Sequence, residues 1–200
     1  MSKYLMLASI LGCALFAPLS APYAADEDKK TNKVIESHDA FAEKLDEQNK
    51  AHFEFIYSNY NIIQVVKTVH KSVSTAAEAC SDKNPDMADE IEARYSAWDE
   101  EITTVLKEAE GHLYNMVIVQ DYADKDDFED LFEVIREVRA SEKDVIKKVP
   151  VTTEEGCQHM LDNLSSTQEN LTKLLRATLM SVPEAIQMQE DIKKRKSEEE

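Results

Sequence analysis

Apolar side chains recur every three or four positions through most of this chain, and they fall into four tracks. The first runs from Val34 through His38, Phe41, Leu45, Gln48, His52, Phe55, Asn59, Ile62, Val66, Val69, Val73 and Ala76 to Cys80. The second passes through Ile91, Tyr95, Trp98, Ile102, Val105, Ala109, His112, Met116 and Val119, and the third through Phe128, Leu131, Ile135, Val138, Glu142, Val145 and Val149. The fourth joins Cys157, Leu161, Leu164, Gln168, Leu171, Leu175, Thr178 and Val182. Spacing of this kind places each set on one stripe of an α-helix, and stripes that must leave water bury one another. The pattern predicts an all-α protein with helices over 32–79, 85–122, 125–148 and 153–181, and a short one over 184–195. The expected architecture is an antiparallel up-down-up-down four-helix bundle with a long first helix and a short C-terminal helix.

The punctuation agrees with these limits. After residue 25 the only prolines are Pro85, Pro150 and Pro183. Asn84-Pro85 reads as a helix cap followed by a first-turn proline, and Thr152-x-x-Glu155 and Ser181-x-x-Glu184 read as capping boxes. Polar residues crowd the first track between Asp46 and Lys50, where that helix has a natural break. The second helix is longer than the third, so either Val149 to Thr152 runs extended or the second helix breaks at Gly111.

The N-terminal segment has a different character. Lys3, an apolar run from Tyr4 to Phe16, then Pro18, Pro22 and the small residues Ala24 and Ala25 form the pattern of a secretory signal over residues 1–24. The run is too short to span a bilayer, so no transmembrane segment is expected once the leader is cleaved, and the location expected is periplasmic or secreted. In an oxidising compartment Cys80 and Cys157 can form a disulfide. The topology supports that pairing, because the end of the first helix and the start of the fourth lie together in an up-down-up-down bundle. Counting away from the pair sets Val73 level with Leu164, Val66 with Leu171 and Ile62 with Leu175.

Charge narrows the partners. The chain carries a formal net charge of −17, and losing a leader whose only charged side chain is Lys3 takes that to −18. Such a chain repels phosphate backbones and anionic lipid, which excludes nucleic acid as an expected partner and favours basic proteins, cationic peptides or cations.

Candidates for chemistry are few. No histidine follows a glutamate at the three-residue spacing of a diiron carboxylate helix, no His-x-x-x-His pair exists, and no motif calls for a cofactor. A hairpin folded around Ser81 to Asn84 sets His52 level with His112, with Glu108 one turn earlier, a set that can ligate a transition metal or haem. Glu155 and His159 stand one turn apart without a nucleophile or oxyanion site, so no enzyme is expected. The chain divides into a leader (1–24), a helical N-terminal extension (25–55), the bundle (56–182) and a short C-terminal helix with a charged tail (183–200). If the extension projects, Val34, Phe41 and Leu45 form a surface for a protein or peptide partner, or for a second copy of the chain. The function expected is non-enzymatic: protein or peptide binding, a chaperone-like role or an envelope accessory role. The alternative is a small-ligand, metal or haem carrier built around His52 and His112.

Overall fold

Five α-helices make up most of the described residues in a computed structural model that describes residues 24–145 and 152–180, with side chains over 32–140 and 152–180. They are α1 (Ala24–Ala42), α2 (Glu47–Lys83), α3 (Ala88–Val119), α4 (Lys125–Val145) and α5 (Glu154–Ala177), with a 3₁₀ turn at Pro85–Met87. The described residues include no strand. The expected leader, apart from Ala24, the extended run from Val149 to Val151 and the helix over 184–195 lie outside the described residues.

The first expected helix is two helices. Asp46 caps α2, its carboxylate accepting from the backbone N–H of Asn49 at 2.9 Å, so the break falls just ahead of the polar cluster from Asp46 to Lys50. At the other end, Asn84 donates from Nδ2 to the carbonyls of Cys80 (3.0 Å) and Thr152 (3.1 Å), tying the end of α2 to the start of α5. Its side chain does not cap the turn that follows. The cap of α5 is Thr153, whose hydroxyl accepts from the N–H of Gly156, one residue later than the expected box at Thr152. Helix α3 continues unbroken through Gly111.

Contacts fix the directions. α2 and α3 run antiparallel, joined by Lys67–Glu110 at 2.8 Å and, nearer the turn, by His70 Nε2 hydrogen-bonded to Asp99. α5 runs antiparallel to α2, with the disulfide between Cys80 and Cys157 at one end (Cα atoms 5.7 Å apart) and Asn59 bonded to the carbonyl of Thr178 at the other. α1 packs antiparallel on α4, from the Phe41–Phe128 ring contact at 4.8 Å to the Lys33–Glu137 pair at 2.9 Å. One continuous core results, with Phe53, Ile56, Ile63, Trp98, Phe128, Ile135, Leu161 and Leu175 all removed from water.

This packing corrects the expected N-terminal extension. α1 folds back on α2 and α4, so Phe41 is 6% exposed and stacks on Phe53 at 4.4 Å, while Val34 and Leu45 are half-buried against the same core. The physical reason is the break at Glu43–Asp46: it turns the apolar face of α1 toward Phe53 and Phe128 instead of leaving it projecting. Val34, Phe41 and Leu45 are therefore not a free partner surface, and the boundary expected between residues 55 and 56 falls inside α2.

Candidate binding groove

The second expectation to be corrected is the metal set. His52 packs edge-on against the ring of Tyr122, 5.6 Å between centroids, and burial there lowers its pKa. His112 is half-buried with Nε2 lacking a hydrogen-bond partner, and Glu108 is exposed. The three are not gathered: among the described residues no group of three or more His, Cys, Asp or Glu side chains could hold a metal ion. The α2–α3 hairpin pivots on Asn84 and the turn at Pro85–Met87, later than the assumed pivot, and so His52 meets the α3–α4 link rather than His112.

The structure gathers a different set of residues. Because α4 packs chiefly on α1, it stands away from α3, and a groove of about 440 Å³ opens between them over α2. Each helix contributes a stripe at helical spacing. Tyr60, Ile63, Gln64 and Lys67 come from α2; Glu110, Leu113, Tyr114 and Val117 from α3; and Lys125, Phe128, Glu129, Phe132 and Arg136 from α4. The buried members, Tyr60, Ile63, Leu113, Val117, Phe128 and Phe132, form an apolar floor.

Polar contacts organise the floor and rim. Tyr60 stacks on Phe132 at 3.8 Å between centroids, and its hydroxyl donates to the Phe132 carbonyl at 3.0 Å. Arg136 Nη1 donates to that same hydroxyl at 3.2 Å. Burial raises the Tyr60 pKa and outweighs the nearby cations, which pull the other way, so the phenol stays protonated and able to donate. On the rim, Lys67 pairs with Glu110 across α2 and α3, while Lys125 pairs with Glu129 at 3.0 Å and lies over the Tyr114 ring at 5.6 Å. Tyr114 is 54% exposed and Ile118, one turn on, 50%, so apolar surface continues outward from the groove.

The lining combines apolar and aromatic side chains with Lys, Arg and Glu, a surface suited to binding, and contains no Ser, Thr, Cys or His. A separate polar tie, in which His70 and Tyr95 both hydrogen-bond to Asp99 and His70 stacks on Trp98, joins α2 to α3 near the turn.

Sequence reasoning did not single out this groove. A signal for it exists: Tyr60, Ile63, Leu113, Val117 and Phe132 each follow a track member (Asn59, Ile62, His112, Met116, Leu131) by one position. A second apolar stripe thus lies about 100° round each helix from the first. Compared with known proteins, the chain matches no protein-family model, no curated protein and no solved structure.

Proposed function

We propose that this chain is an exported, non-enzymatic binding module that receives one face of a partner's amphipathic helix in the groove between α2, α3 and α4. The observation that carries the reading is the groove itself: three apolar stripes at helical spacing, open to solvent, with a charged rim. Such a trough accepts apolar side chains presented at i, i+3, i+4 and i+7 by a docking helix. We read α2 to α5 as the four members of an up-down-up-down bundle, supported by the opposed directions of α2 against α3 and α5. Export is supported by the leader-like pattern of the sequence together with the Cys80–Cys157 disulfide. No helix among the described residues is long and apolar enough to cross a membrane.

The test is fluorescence anisotropy with a designed helical peptide bearing leucines at i, i+3, i+4 and i+7 and lysines on its outer face, titrated with the full chain. Binding is expected to weaken by about tenfold in Tyr114→Ala, which removes exposed rim surface without disturbing the core. It should weaken further in Gln64→Trp, which fills the groove. Wild-type binding that both variants leave unchanged would place the partner site elsewhere.

A further inference from the structure

We propose that Arg136 is the anion anchor of this groove and selects a docking helix that carries a carboxylate beside its apolar stripe. The inference rests on the groove being a docking site and names the chemistry that decides what docks.

Acidic residues outnumber basic ones in this chain by 40 to 23, so a cation in it ordinarily finds a carboxylate nearby. Two of the three groove cations do: Lys67 takes Glu110 and Lys125 takes Glu129. Arg136 differs. Among the described residues no carboxylate lies within ion-pair distance of it, and its side-chain hydrogen bond there goes to the Tyr60 hydroxyl. That hydroxyl has given its own proton to the Phe132 carbonyl, and its ring is held face to face on Phe132, so Arg136 is steered by a fixed acceptor. A guanidinium carries five N–H donors in a planar fork, and one bond leaves enough to grip a carboxylate with two parallel bonds. Arg139, on the same helix, likewise bonds to a neutral partner, Asn61 Oδ1 at 3.1 Å, and adds a second cation without a carboxylate at this end.

Charge then acts at two ranges. The net charge of −17 disfavours an acidic partner at a distance, so the outer face of the docking helix is neutral or cationic. At contact, Arg136 rewards a single carboxylate on the inner flank. The occupant is a partner polypeptide's helix with an apolar stripe, one Asp or Glu beside it and a non-acidic back.

Three amidated helical peptides test this against the full chain. They share the leucine stripe and lysine-bearing outer face and differ at one flanking position, which is Glu, Gln or Lys. The expected affinity order is Glu over Gln over Lys, with Glu about fivefold tighter than Gln, the size of a rim-exposed charge-assisted contact. Arg136→Gln should erase the Glu–Gln difference, weakening the Glu peptide more than the Gln peptide, and Arg136→Lys should restore part of the difference. Equal binding of the Glu and Gln peptides to the wild type, or a difference that survives in Arg136→Gln, overturns the anchor and leaves the groove standing. Failure of all three peptides to bind overturns the groove and the anchor with it.

Discussion

Asn59 and Thr178 meet in a buried layer where α2 passes the end of α5: Nδ2 of Asn59 donates to the Thr178 carbonyl at 3.3 Å, and the residues are 3% and 1% exposed. Asn59 lies 21 residues before Cys80 and Thr178 lies 21 residues after Cys157, so one register runs the length of the α2–α5 contact. The Thr178 hydroxyl is satisfied within its own turn by the Leu175 carbonyl at 2.6 Å, which leaves Asn59 as the interhelical polar contact of that layer. Asn59→Ala would strand a buried carbonyl, and a loss of about 1 to 3 kcal/mol is expected in urea denaturation. A loss under about 0.5 kcal/mol, the low end of one net hydrogen bond, would show that water replaces the amide there.

The disulfide fixes the other end of that register. It closes a sequence separation of 77 residues, and its removal in the double change Cys80→Ser, Cys157→Ser is expected to lower stability by about 2 to 5 kcal/mol. Urea curves with and without reductant check this, since the wild type in reductant and the double variant should coincide.

Phe41 holds α1 in place through its stack on Phe53 and its contact with Phe128. Phe41→Ala removes a buried ring and is expected to cost about 3 to 5 kcal/mol at full burial, less if α1 detaches instead of leaving a cavity. Hydrogen exchange separates the two results. Detachment raises exchange over residues 32–42 while α5, held by the disulfide, stays protected.

The lower half of the molecule, nearest the disulfide, was legible in the sequence, and the upper half was legible only to within one residue. From Val66 to Cys80 the 3-4 track describes the face turned to α3 and α5, save that Ala77 and not Ala76 is the buried alanine, and it locates the disulfide. Ahead of Val66 the buried apolar positions of α2 are Phe53, Ile56, Tyr60 and Ile63, each one residue after a track member named from spacing, while on the track itself the polar Asn59 is buried. A shift of one residue turns the face by about 100°. The cause is added neighbours: below, α2 faces α3 and α5, whereas above it also meets α1 and α4, through Phe53 against Phe41 and Tyr60 against Phe132. Spacing alone averages over the two faces. The expected meeting of His52 and His112 rests on a hairpin count around Ser81 to Asn84, which the later turn at Pro85–Met87 shifts, and the groove escapes the spacing because its stripe lies one position off the track.

Two histidines near α1 and the α3–α4 link give opposite pH responses. Burial works against a charge on His38, yet the carboxylates of Asp39 (2.9 Å from Nδ1) and Glu54 (3.1 Å from Nε2) outweigh it and raise the pKa. Its stabilisation is full below the ordinary histidine value and is lost as pH rises through the raised one. His52, lowered by burial against Tyr122, contributes in the other direction: the unfolded chain takes up its proton first, so stability falls as pH drops from the ordinary value toward the lowered one. Because the two slopes oppose, urea midpoints between pH 5 and 8 should be read in single variants. In His38→Gln the loss on the alkaline side should vanish, and in His52→Gln the loss on the acid side should vanish. An unchanged slope in either variant rejects the assignment for that residue.

Gly111 offers the one prediction of a gain. It sits inside α3, which continues for eight residues beyond it, and a Cβ built there meets nothing within 4 Å. Glycine in a helix interior is less favourable than alanine by up to about 1 kcal/mol, chiefly through the backbone freedom it gives the unfolded chain. Gly111→Ala is therefore expected to raise stability by about 0.5 to 1 kcal/mol in urea, with an unchanged denaturant slope. The residue faces solvent beside Glu110, which lines the groove, so the same variant also reports on binding. A stabilised protein that binds the designed peptides as the wild type does means that α3 needs no flexibility at this point. A stabilised protein with weakened binding means that the glycine is there to let α3 bend when the groove is filled.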